Sequence, residues 1–335
     1  MSSSATTSEN AVDRILAIAC CPECGGELRR EQRSIRCLAC PRQYPITEDG
    51  IPCLVSDKLR QALNTDATVA TDQKPTEVDV KAANIRVYES VLDDYETKAI
   101  HADPTTVSRL KAALARLHAQ PPKRHLDVGC GPGNVLSSVM AGDLRVGLDV
   151  SPAALRHARE HGHLVVQGDA ERMPFRPGTF DLVTAYSTLH HLFEPQRCVA
   201  EAARTLTSGG LFVSDFDPNH AASQWGWLAR KLFRLRGLLS KRRRVDYSQV
   251  RSSHDVAEFH NGPGRGIEPR AMTEALATSG MNVEVLLLHN THDSNVDGGY
   301  WCQPRLRHFV TQTLSLRNAF ARKNADTFML AARKR

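Results

Sequence analysis

The chain has 335 residues, 41% of them hydrophobic and 24% charged, with a net charge of +6 and nine cysteines. That balance excludes a disordered or fibrous chain and leaves room for one large domain plus a small one. No apolar run approaches the ~20 residues that a membrane-spanning helix needs, and so mild a positive charge does not by itself imply nucleic acid.

The start, Met1 to Asn10, has neither a basic head nor an apolar centre, so it reads as a disordered tail and not as a secretory signal. A cytoplasmic location follows as the expectation, with the cysteines reduced or holding metal. Val12 to Ala19 is a short apolar lead. Cys21-Pro-Glu-Cys24 and Cys37-Leu-Ala-Cys40 then form two Cys-x-x-Cys turns separated by a strand-sized segment. Such pairs aim four thiolates at one tetrahedral zinc, with sulfurs ~2.3 Å from the ion. Four ligands with no catalytic acid beside them describe a closed, structural site. The segment continues Tyr44-Pro-Ile and Gly50-Ile51-Pro52-Cys-Leu54. Residues 11–57 thus resemble the small Trm112-like zinc ribbon, free-standing members of which bind and activate methyltransferases. The resemblance leaves structural support and substrate contact equally open.

Residues 58–81 are polar and read as a linker. From Ala82 to Ala99 apolar residues recur at helical spacing and include Tyr95, and Asp103-Pro104 opens a second helix that Pro121-Pro122 ends.

His125-Leu-Asp127-Val-Gly129-Cys130-Gly131-Pro-Gly133-Asn134 is an apolar strand running into three alternate glycines and then a helix. Glycines there let the backbone turn tightly and approach a ligand. The dinucleotide pattern G-x-G-x-x-G would need glycine at 134, where Asn134 stands. Leu144 to Asp149 is a second strand ending in an acid, suited to accept hydrogen bonds from ribose hydroxyls. Ser151-Pro152 opens the next helix as cap and first turn. A third strand, His163 to Gln167, leads into Gly168-Asp169-Ala170. A fourth spans Thr179 to Tyr186 and exits through Ser187-Thr188-Leu189-His190-His191-Leu192, and Gly209-Gly210 enters a fifth. In this order and spacing the motifs resemble the class I S-adenosylmethionine (SAM) dependent methyltransferases, of the type 11-like kind.

The resemblance implies an α/β fold. Its seven-stranded Rossmann-like sheet would have the last strand antiparallel, helices on both faces, and the small zinc ribbon in front. It implies SAM as cofactor. Asp127, Gly129, Cys130, Gly131 and Gly133 would surround its methionine end, with Asp149 and Val150 at the ribose and Asp169 and Ala170 at the adenine. Tyr186 and Tyr95 would line the site. The Asn/Asp-Pro-Pro-Tyr/Phe motif of many amino-group methyltransferases is replaced by Ala185-Tyr186-Ser187-Thr188, and the His-His that follows resembles the small-molecule type. His190 and His191 are therefore the catalytic expectation, since a histidine can act as base near neutral pH. Packing or capping is the plainer alternative for each.

Residues 216–268 form an insertion where the family places a substrate lid. Its Trp225, Leu228, Leu232, Leu235 and Leu239 interleave with arginines and end at Lys241-Arg-Arg-Arg244. Residues 225–244 could cap the domain, grip phosphate or lie on an anionic membrane. The helix from Glu268-Pro269, a sixth strand at Val283 to Leu288, a second insertion at 293–324 and a last strand at Thr327 to Ala332 complete residues 82–335. His289, Asn290, His292 and Asp293 read as polar residues rimming a pocket. The expected function is methyl transfer to a small molecule, with RNA as the alternative acceptor and a non-catalytic SAM-binding partner protein as the second alternative.

Overall fold

A computed structural model describes residues 11–63, 74–98, 108–117, 122–138, 142–232, 251–290 and 306–335. Its first strands are β1 (Leu28–Glu31), β2 (Ser34–Cys37) and β3 (Gln43–Pro45), paired antiparallel in the order β1-β2-β3. Next come β4 (Cys53–Leu54), β5 (Arg124–Val128), β6 (Leu144–Asp149), β7 (Leu164–Gly168), β8 (Phe180–Tyr186), β9 (Leu206–Pro218), β10 (Met281–His289) and β11 (Thr327–Lys334). Besides helical residues at 11–16 and 227–232, the described helices are α1 (Asp57–Leu63), α2 (Glu77–Lys98), α3 (Ser108–Leu117), α4 (Asn134–Ser138), α5 (Pro152–Glu160), α6 (Pro195–Thr205), α7 (His220–Ser223), α8 (Arg251–Ala257), α9 (Pro269–Thr278) and α10 (Leu306–Leu314).

The large sheet runs β10-β11-β9-β8-β5-β6-β7-β4. Its centre is parallel, and β11 pairs antiparallel with both neighbours. The parallel strands read as apolar runs because helices cover both faces. Leu126, Val128, Val146, Leu148, Val165, Val166, Leu182 and Val183 are all fully or almost fully buried. Ser151 caps α5 through its hydroxyl, which accepts from Ala154 N at 3.3 Å, with Pro152 in the first turn.

The seven expected strands are present, and an eighth joins them. β4, from the end of the ribbon segment, pairs parallel with β7 through Cys53↔Gln167 and Leu54↔Gly168. Ala19 bridges Phe175, and Cys20 N donates to Pro174 O. Val12, Ile15, Leu16, Ile35, Tyr44 and Leu54 share one apolar core with Val146, Val166, Phe175 and Phe180. The ribbon is therefore packed onto the sheet edge and against the Asp169–Phe175 segment.

Two parts of the expected linker are helical. Residues 58–63 lie in α1, and Glu77 to Lys81 form the first turns of α2. Thr76 caps α2, its hydroxyl accepting from Asp79 N at 3.3 Å. The basic run Lys241 to Arg244, His292 and Asp293 lie outside the described residues. Among the described residues no helix is long and apolar enough to cross a membrane.

Candidate functional site

The carboxyl ends of β5, β6 and β7 open onto one cleft. It is lined by Gly129, Asp149, Val150, Asp169 and Ala170, by Ser187, Thr188, His191 and Leu192 after β8, and by Lys81, Asn84 and Tyr88 of α2. Six of the sequence-predicted residues thus converge: Gly129, Asp149, Val150, Asp169, Ala170 and His191. Gly129 has φ 66°, and a Cβ there would meet Thr188 at 2.5 Å, so only glycine fits. Asp149 accepts from Gly131 N and Ser151 N, each at 2.9 Å, which fixes its carboxylate at the lip of β6. Burial raises its pKa.

Other predicted residues stand elsewhere. Asp127 is buried beneath the cleft, where its Oδ1 accepts from Thr184 Oγ1 at 2.7 Å, and Thr184 Oγ1 in turn meets His125 Nε2 at 2.7 Å. Burial, with Asp149 nearby, pushes Asp127 up to about 7, and burial holds His125 down to about 3. Cys130 is buried against Ile51, Leu136 and Leu155, and Gly133 packs near His163. Tyr186 lies outside the cleft lining and stacks on Phe216, ring centroids 5.6 Å apart, because the strand alternation turns it into the core of α3 and β9. The Tyr95 side chain lies outside the described residues.

Lys81 gave no signal in the sequence, where it closes a polar stretch. In the fold it is buried, with Nζ 2.6 Å from Asp169, 3.1 Å from Glu171 and 2.5 Å from Glu77. Burial works to lower its pKa, but Asp169 and Glu171 outweigh it and raise the ammonium instead. Three acids around one lysine, with Asp149 opposite, leave the cleft negative. SAM, with a sulfonium and an ammonium against one carboxylate, is a net cation, and the donor set and open glycine corner fit it.

The four ribbon cysteines also converge. Cys21 and Cys40 sulfurs are 3.8 Å apart, Cys24 and Cys37 3.5 Å, and all four lie within 4.8 Å of one another. Four thiolates at ~2.3 Å around one tetrahedral ion stand about 3.8 Å apart, so the cluster fits zinc. Tyr44 Oη lies 3.0 Å from Cys21 Sγ, a hydrogen bond of the kind that orients a metal-bound thiolate.

Behind His191 the wall of the cleft changes character. His190 Nδ1 lies 2.9 Å from Asp217 Oδ1, which also accepts from His190 N at 3.1 Å. His190 Nε2 faces Glu258 Oε2 at 3.8 Å. His191 Nδ1 lies 3.1 Å from Ala257 O, and the two imidazoles are tilted with centroids 4.0 Å apart. Burial alone would lower His190, yet its hydrogen bond to Asp217 and the charge of Glu258 raise it. Burial and the neighbouring His190 hold His191 down to about 4. Glu258 lines a second cavity of ≈ 670 Å³, whose walls include Trp225, Arg230, His254, Arg265 and Arg307.

Asp217 was missed because period-two counting puts it on one face with Asp215. The structure separates them. β9 carries a bulge at Phe216 (φ 73°), so that Asp215 pairs with Met329 and Asp217 with Phe328, adjacent residues of β11 that face opposite ways. Asp215 accordingly meets His289 (Oδ1 to Nε2, 2.8 Å), whose Nδ1 lies 3.0 Å from Thr327 Oγ1. His289 and Asn290 are buried, not on a pocket rim, because β10 is covered where it crosses β11.

Residues 126–214 match the methyltransferase domain family. The chain is 28% identical over 243 residues to the ubiquinone biosynthesis O-methyltransferase of Bordetella bronchiseptica, covering 67% of this chain and 99% of that one. It is 34% identical over 128 residues to the 18S rRNA (guanine-N(7))-methyltransferase bud23 of Schizosaccharomyces pombe, covering 33% and 48%. It is 30% identical over 139 residues to an uncharacterised protein in a transposon of Streptomyces fradiae, covering 38% and 40%.

Proposed function

We propose that this chain, a class I SAM-dependent methyltransferase, methylates a small molecule held in the ≈ 670 Å³ cavity behind Glu258. One observation carries the proposal. His191 lines the negative cofactor cleft, Glu258 lines this cavity, and their ligand atoms lie within 4.8 Å of each other. A cavity of that size suits a drug-sized ligand. An acceptor placed there would meet the cofactor's methyl group beside His190 and His191.

When bound, SAM supplies a methyl group already activated by its sulfonium charge. The chain's own residues then have three tasks. Gly129, Asp149, Val150, Asp169 and Ala170 hold the cofactor, with Asp149 at the ribose and Asp169 at the adenine. Lys81 fixes the Asp169 carboxylate through the 2.6 Å ion pair. His190 and His191 stand where the acceptor's proton is lost, Asp217 holding His190 in the tautomer whose Nε2 presents a lone pair to the site. Alignment and exclusion of water supply most of the remaining rate. The ribbon, with zinc on Cys21, Cys24, Cys37 and Cys40, acts as a brace, because its core is continuous with that of the Asp169–Phe175 segment.

The test follows the methyl group. Full-length protein is incubated with methyl-labelled SAM and a lysate of its host, and small molecules, RNA and protein are separated. Label in the small-molecule fraction is the expected result. Label in RNA would overturn it in favour of the alternative suggested by the basic run, and no transfer at all would favour a non-catalytic partner protein.

A further inference from the structure

Three hydrogen-bond acceptors face one another where His191 and Glu258 meet. In its neutral form His190 gives its Nδ1 proton to Asp217, and its Nε2 then carries a lone pair. His191 gives its Nδ1 proton to Ala257 O, so its Nε2 does too. The third is the Glu258 carboxylate, 3.8 Å from His190 Nε2. One ligand atom from each residue lies within 4.8 Å of the other two. Converging lone pairs repel, and the arrangement needs a cation among them, a proton or a metal ion.

Two imidazoles and one carboxylate, with remaining positions open to a cavity, form the ligand set of borderline divalent first-row ions. The surroundings agree. A metal-bound histidine almost always donates its other ring N–H to a carboxylate or a backbone carbonyl, and a metal-bound carboxylate is itself hydrogen-bonded. Here Asp217 holds His190, Ala257 O holds His191, and Asn261 Nδ2 donates to Glu258 Oε2 at 2.5 Å. Asp217 is fully buried, and its Oδ2 has no hydrogen-bond partner among the described residues, so the acid behind the site is tied to it through His190 alone.

We infer that His190 Nε2, His191 Nε2 and the Glu258 carboxylate bind a divalent transition-metal ion between the cofactor cleft and the ≈ 670 Å³ cavity. Gathering the three atoms onto one ion at ~2.1 Å brings them to about 3–3.5 Å apart, within reach of side-chain rotation. The inference deepens the small-molecule proposal and rests on it for the substrate class, an acceptor bearing a hydroxyl. The ion draws the hydroxyl oxygen to itself and lowers the pKa of its proton, which passes to water in the cavity. The oxygen–carbon bond then forms as the sulfur–carbon bond of SAM breaks.

The probe is Mn²⁺, titrated into the full-length, zinc-loaded protein and read by electron paramagnetic resonance. Thiolate sites favour zinc over manganese, so the ribbon does not compete. One Mn²⁺ per chain is expected, bound at least tenfold more weakly by Glu258→Gln and by His190→Gln. Calorimetry with SAM shows that Glu258→Gln is folded, since Glu258 does not line the cofactor cleft. No Mn²⁺ binding by the native chain would overturn the site and leave a proton as the bridging cation, and so would equal affinity in both variants. Label transfer to small molecules that ignores Mn²⁺ removes the metal and keeps the function. Tight Mn²⁺ binding that both variants weaken, with label in RNA, keeps the metal and removes the substrate class.

Discussion

Two histidine–aspartate pairs hang on the last turns of β9, and they differ in what the second ring nitrogen meets. His289 is closed on both sides, by Asp215 and by Thr327. It is a cross-link between β9, β10 and β11. His190 is closed on one side only, by Asp217, and its Nε2 looks toward Glu258 and the cavity. The bulge at Phe216 makes the difference, turning two acids that are two residues apart onto opposite faces of the sheet. A buried histidine–carboxylate pair is thus no sign of chemistry by itself. The free nitrogen and the space before it are.

The comparison breaks most visibly through activity. His190→Gln keeps a donor for Asp217 but takes away the imidazole, and kcat should fall roughly 10²–10⁴-fold while the melting temperature moves little. Methyl transfer at saturating SAM measures this, and a loss below tenfold would make His190 a packing residue like His289. The mirror experiment is His289→Ala. It takes from the buried Asp215 its imidazole partner, and unfolding free energy should drop by about 3–5 kcal/mol, with kcat per folded molecule unchanged. Denaturant titration checks it. A catalytic loss without a stability loss would erase the distinction between the pairs.

Asp127 sharpens the same point with a third buried acid that has no imidazole as direct partner. Its folded pKa is raised to about 7, above the ordinary aspartate value of ~3.9. The contribution to stability is complete while both states are protonated, below pH ~4, and is lost as pH rises through about 7. His125, depressed to about 3, works in the opposite sense and gains stability from pH 3 to ~6.5, so the native protein alone shows a muted slope. The difference between native protein and Asp127→Asn cancels the His125 part. In unfolding free energy the variant should gain on the native chain by on the order of 2–4 kcal/mol between pH 4 and pH 8. A flat difference would mean that Asp127 ionises freely in the fold. The smallest effect is expected at the cofactor. Asp149→Ala should weaken SAM at least tenfold, about 1.4 kcal/mol, by calorimetry. Unchanged affinity would remove Asp149 from the ribose role.

The site was unevenly legible. Gly129, Asp149, Asp169 and Ala170 could be read because each sits at the end of a strand, where a short local pattern dictates both backbone and position. Asp127 and Tyr186 belonged to the same motifs, but strand alternation turned their side chains into the core. Lys81 showed nothing in its neighbours. Its role exists only because α2 crosses the cleft and sets Nζ beside Asp169, 88 residues away.

The resemblance carried by the motifs therefore told the class of fold, and local order told the strand sequence from β5 to β11, the Ser151 cap and the cysteine pairs, since each of these depends on residues close together in the chain. Tertiary structure alone decided the rest. It brought β4 of the ribbon segment onto the sheet edge, bulged β9 at Phe216, set Lys81 into the cleft and gathered Asp217 and Glu258 about His190. The reason is one of range. Propensity and periodicity act over a few residues, whereas a side chain finds a charged partner or a cavity only after distant segments have packed to bury a common core.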